Sequence, residues 1–147
     1  MVQEWLATLE QTLVGRHASI VRREYDWLVV LEGGGAISLP IPWRIVADGR
    51  IAFANRDDGQ RFGLPAPIEG ESEATSLLNG RAIRAISVDA ETADLSLMFE
   101  GGVRLDAFNH SSGYEGWQID LPAEHDGMSV TALGGGDVAL WSWQMPY

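Results

Sequence analysis

The feature that most constrains this chain is that it states one pattern twice. Leu13-Val14-Gly15-Arg16 recurs as Leu78-Asn79-Gly80-Arg81, and Asp26-Trp27-Leu28-Val29-Val30-Leu31-Glu32-Gly33-Gly34 recurs as Asp94-Leu95-Ser96-Leu97-Met98-Phe99-Glu100-Gly101-Gly102. Trp43-Arg44-Ile45 then answers to Trp117-Gln118-Ile119, and Asp48-Gly49 to Asp126-Gly127. A duplicated unit folds as a duplicated supersecondary structure, and each copy must bury what the other cannot cover. The interval between matched positions grows from 65 to 68, 74 and 78, which places insertions in the second copy's loops.

Each copy reads as a β-meander. Leu95, Leu97 and Phe99 alternate with Ser96, Met98 and Glu100, the period of two that turns one face of a strand to a core. Glu100-Gly101-Gly102 then reverses the chain, and Val103, Leu105 and Ala107 alternate on the return; Glu32 to Gly35 does the same between Trp27–Leu31 and Ala36–Leu39. Asp48-Gly49, Asp58-Gly59 and Gly134-Gly135-Gly136 mark further turns, so about five strands are predicted per copy.

Helix is scarce. Val2, Trp5, Leu6, Leu9 and Leu13 recur at helical spacing and predict one amphipathic N-terminal helix over residues 2–13, with a shorter one from Glu71 to Leu78 in the equivalent place. The proline-stiffened stretch from Leu64 to Gly70 cannot sit in a central strand and marks the seam. The organisation predicted is a single domain over 1–147: helix to 13, first repeat 14–64, connector 65–77, second repeat 78–143. Two meanders of about 65 residues are each marginal alone, so they are expected to pack as a mainly β sandwich or barrel with approximate two-fold symmetry.

Composition narrows the functional classes. Net charge is −11 over 147 residues, with ten Arg and no Lys. Such a surface repels phosphate backbones and anionic lipid, which argues against nucleic-acid or membrane partners and favours a basic protein partner. With no cysteine, disulfides and thiolate chemistry are excluded. No apolar run approaches the ~18 residues of a membrane span and no secretory signal precedes the fold, so a cytoplasmic location is expected.

The Leu-x-Gly-Arg pattern, the strand ending Phe99-Glu100-Gly101-Gly102, the step Tyr114-Glu115-Gly116-Trp117-Gln118-Ile119 and Gly134-Gly135-Gly136-Asp137 before Trp141 carry a resemblance. Over residues 13–143 the chain resembles an uncharacterised family of small bacterial proteins, largely actinobacterial. That resemblance implies no activity.

Candidate chemistry is sparse. The Gly triplets lack the Lys of a phosphate-binding loop and read as hairpin turns; no Gly-x-Ser-x-Gly elbow presents a serine. His110, Glu115 and Asp106 could gather around the long second-copy loop, where a carboxylate orienting a histidine is the minimum for general-base work. Glu124-His125-Asp126 reads as a solvated turn, since three consecutive residues do not converge on one ion. Trp43 and Trp117 read as paired core residues. The tail from Trp141 to Tyr147 alternates like a strand with Trp141 and Trp143 on one face, expected inward; facing outward, Trp143 and Tyr147 would form an aromatic contact surface.

The leading expectation is a non-enzymatic, cofactor-free acidic binding protein that engages a basic partner, with an immunity protein blocking a toxin as its most concrete form. Glu115, His110, Asp106, Trp143 and Tyr147 are its candidate contact residues. The rivals are a small-ligand binder or enzyme using residues 109–115, and a structural homo-oligomeric module.

Overall fold

The computed structural model describes residues 4–122 and 127–142. Its elements in chain order are α1 (Glu4–Leu13), β1 (Ala18–Arg22), β2 (Trp27–Leu31), β3 (Ala36–Leu39), β4 (Trp43–Ala47) and β5 (Arg50–Ala54), then α2 (Gly70–Leu78), β6 (Ile83–Val88), β7 (Leu95–Phe99), β8 (Val103–Ala107), β9 (Gln118–Asp120), β10 (Met128–Ala132) and β11 (Val138–Ser142). Short 3-10 turns occur at Asn55–Asp57, Glu100–Gly102 and Gly134–Gly136. The first copy therefore holds five strands and the second six.

The strands form two antiparallel sheets that face each other as an unclosed sandwich, with orders β1-β2-β3-β9-β10-β11 and β5-β4-β8-β7-β6. Read backwards, the second order is β6-β7-β8-β4-β5. It matches the first once β6 to β8 replace β1 to β3 and β4-β5 replace β9-β10. Each copy thus contributes three strands to one sheet and its next two to the other. The crossing falls at residues 40–42 in the first copy, where Pro40 and Pro42 cannot continue a ladder and Ile41 is buried between the sheets.

Register confirms the equivalence residue by residue. Ile37 pairs with Ile119 at the seam of one sheet and Leu105 with Ile45 at the seam of the other. An isolated antiparallel bridge joins His17 to Ala82, which are each other's counterparts, so the pseudo-two-fold axis passes through it. Its flanking bonds are reciprocal, Ala18 N donating to Arg81 O and Ile83 N to Arg16 O.

The growing repeat interval has a structural cause at each step. A bulge between Ile83 and Ala85 lengthens β6 by one residue, and the loop 89–94 is two residues longer than the turn 23–26. The crossing before Trp117 is six longer than that before Trp43, and the segment between Leu121 and Met128 is four longer than Asp48-Gly49.

The core lies between the sheets. Alternate residues Val29, Leu31, Ile37, Leu39 and Ile45 meet Leu95, Leu97, Leu105, Ile119 and Val130, with both Trp43 and Trp117 enclosed as the duplication requires. Trp27 packs edge to face against both Trp43 and Phe53, at 5.0 Å between ring centroids for Trp43, and Trp43 lies tilted against Phe53. The helices are exchanged too: α1 packs on β6 through Leu9 and Leu13, and α2 on β1 through Ala74 and Leu78. No helix among the described residues is long and apolar enough to cross a membrane.

One expectation is corrected. Trp141 does not close the core: it pairs with Ser129 on the outward face of β11 and is 65% exposed. Strand β11 has no counterpart in the first copy, so it adds an edge beyond the duplicated core. Trp143 and Tyr147 lie outside the described residues, as does Glu124-His125-Asp126.

Candidate functional site

Two of the second copy's insertions converge with the turn between β10 and β11. The loop 89–94, the crossing 108–117 and the turn 133–137 all lie at the same end of their strands and lock together into a platform. Asn109 is the bolt: its Nδ2 donates to Thr92 O and Ala93 O at 3.0 and 2.7 Å, and its backbone N–H donates to Asp94 Oδ1 at 2.9 Å. Trp117 Nε1 donates to Ala93 O at 2.7 Å, and Gly135 N donates to Ser111 O at 3.0 Å. Gly136, at φ +95°, sits where a Cβ would run into Glu91 O, so only glycine lets the turn approach the loop.

This platform carries one sign of charge. Asp89, Glu91, Asp94, Glu115 and Asp137 lie on its three segments, which contain no arginine. Ser111 Oγ accepts from Gly113 N and Tyr114 N and lifts Tyr114 to the tip, 84% exposed. The backbone N–H groups of Thr92 and then Glu91 hold the Asp89 carboxyl below its usual range, so it stays ionised in mild acid. The first-copy turn 23–26 differs, since its Arg23 pairs with Asp26 and neighbouring Arg22 with Asp58.

Beside the platform, the outer face of the five-stranded sheet holds an ion cluster. Asp106, 5% exposed, accepts Arg44 Nε at 3.2 Å, Arg104 Nε at 2.9 Å and Ser96 Oγ at 2.8 Å. Arg44 also stacks on Phe108, 4.9 Å from the ring centre. A groove of about 560 Å³ opens here, with Ser87, Ser96 and Arg104 along it and Asp89 and Asp94 at its rim.

Burial alone pushes the Asp106 carboxyl up, but the hydrogen bonds from Arg104, Ser96 and Arg44 outweigh it and hold the group below its ordinary 3.8. A folded value below the unfolded one means that the linked stabilisation is complete above 3.8 and is lost as pH falls through the folded value. Asp106→Asn should therefore cost about 1–3 kcal/mol near neutrality, toward the low end because both guanidinium groups are partly exposed. Urea midpoints of the two proteins should converge as pH drops below that window.

The sequence-nominated residues separate. His110 and Glu115 are both exposed on the platform loop, whereas Asp106 lies on β8 and is taken up by the two arginines. Among the described residues no hydrogen bond joins the three. Arg44 and Arg104 were not nominated, because Arg44 lies 62 positions from Asp106 and meets it only through the β4–β8 seam. Asp137 and Glu91 also escaped notice: Glu91 lies in a loop that its length relative to the first copy marks, whereas the turn of Asp137 leads into β11 and has no first-copy equivalent to compare. No cluster of three or more His, Asp or Glu suited to a metal occurs among the described residues. No protein-family model matches the chain, and no curated protein or solved structure matches it either.

Proposed function

We propose that the protein is a non-enzymatic binding protein whose acidic platform engages a basic protein partner, acting by occlusion as an immunity protein acts on a toxin. The observation that carries this reading is the convergence of two inserted loops and the β10–β11 turn into one platform bearing five carboxylates, no arginine and an exposed tyrosine. Like charges gathered on a cross-braced base cost little reorganisation on binding and steer a cationic surface in. Tyr114 supplies the large, stiff contact that binding hot spots favour.

The test is capture from the native host with the wild-type protein as bait, followed by association kinetics against whatever basic protein is recovered. Reversing Glu91, Glu115 and Asp137 to Arg should slow association by about tenfold or more at low salt, with the gap closing as salt rises. Capture of no basic protein, or equal rates for the reversed variant, would overturn the reading.

A further inference from the structure

The duplication supplies its own control for the Arg44–Asp106–Arg104 cluster. On the five-stranded sheet one row across the outer face reads Ser87, Ser96, Asp106, Arg44. The equivalent row on the other sheet reads Val21, Leu28, Ser38, Gln118. Arg104 likewise answers to Ala36, each standing beside the seam one row further on. The same sheet is built at every one of these positions without a charge, so the fold does not require the cluster. Its contribution to stability is modest, since both guanidinium groups are partly exposed, and the other sheet does without it.

The geometry shows what the cluster leaves available. Both arginines use only Nε on Asp106, and among the described residues their Nη nitrogens have no hydrogen-bond partner. Asp106 thus orients two guanidinium groups instead of consuming them, and Arg104 faces the groove. An oriented guanidinium edge is the fork that receives a carboxylate. Arg104 Nε and Ser96 Oγ share Asp106 Oδ1 at 2.9 and 2.8 Å, which draws the guanidinium back to the Ser96 row, and the opposite charge lies just past the strand ends: Asp89 and Asp94 are each two residues from Ser87 and Ser96, a step of about 7 Å. Asp89 binds Glu91 N and Thr92 N through Oδ1 alone, leaving Oδ2 for a ligand.

We infer that this groove binds a small zwitterion whose ammonium and carboxylate lie about 7 Å apart, the span of two extended residues, and therefore a free dipeptide. The ammonium sits between Asp89 and Asp94, the backbone lies along Ser87 and Ser96, and the carboxylate meets Arg104. At about 560 Å³ the groove is within the range of small-molecule sites. The groove shares Asp89 and Asp94 with the edge of the acidic platform, but the partner test reverses Glu91, Glu115 and Asp137, none of which lines the groove, so the two readings are tested at different residues.

The experiment is an amide NMR titration of the whole protein with diglycine, N-acetyl-diglycine, diglycine amide and free glycine at millimolar concentration. Diglycine should shift the resonances of Ser87, Ser96 and Arg104, and blocking either terminus should weaken binding by about tenfold. Arg104→Ala and Asp89→Asn should each give a similar loss while spectra away from the groove stay unchanged. No shift with diglycine, shifts confined to other surfaces, or equal binding by a blocked peptide or by glycine would overturn the assignment. Those results leave the platform's partner capture untouched, so the two readings fail separately.

Discussion

Severing the chain between Leu64 and Pro65 should leave two pieces that do not fold alone and that regenerate the native molecule on mixing. The break itself is benign, since residues 61–67 are exposed. The consequence follows from the exchanged strands. Alone, residues 1–64 keep β1 to β3 and the β4-β5 hairpin but lose β8 and β9, the neighbours that attach each group to a sheet. They also lose α2, which covers β1. Trp43, Ile45 and Ile37 would then be open to water, and a unit of this size has no surplus to offset that.

Residues 65–147 are stranded in the same way. Circular dichroism and amide NMR of each piece and of their mixture decide the matter. Either half giving a dispersed, monomeric spectrum by itself would show that the seams are not what holds the sandwich together. A half that pairs with its own copy would be using the two-fold relation seen at the His17–Ala82 bridge.

That exchange marks where sequence reading ends. Periodicity placed the β2-β3 and β7-β8 hairpins to the residue because Gly33 to Gly35 and Gly101-Gly102 take the positive φ of tight turns, a local requirement. The match of Trp43 to Trp117 was legible because both fill the same enclosed position. A repeat in sequence relates strands between copies, however, and does not say which sheet each joins. That choice is made at the crossings, Pro40 to Pro42 and 108–117, where the chain leaves one ladder for the other. The outward Trp141 escaped for a related reason: alternation tells that residues share a face, and only the neighbouring strand tells which face is covered. The Asp106 cluster depends on a seam pairing and was invisible until the sheets were ordered.

The two tryptophans give the sharpest internal comparison. Trp117 Nε1 reaches Ala93 O because the loop 89–94 has two more residues than the turn 23–26, and the extra length bends Ala93 into a left-handed conformation at φ 59°. The shorter turn offers no such carbonyl, and Trp43 Nε1 is buried without a partner among the described residues. Substituting phenylalanine removes similar volume at both sites, so the difference isolates the hydrogen bond. Trp117→Phe should destabilise by about 1 kcal/mol more than Trp43→Phe, because the first change loses a bond and the second removes an orphaned donor. Trp43→Phe keeps a ring against Trp27 and Phe53, which limits its own cost. Urea unfolding of both variants gives the magnitude, and hydrogen exchange gives the location: only Trp117→Phe should speed exchange across 89–94 and 108–117. Equal costs, or faster exchange in both variants, would mean that the inserted loops are held without the Trp117 bond and that Trp117 contributes to the platform only as core.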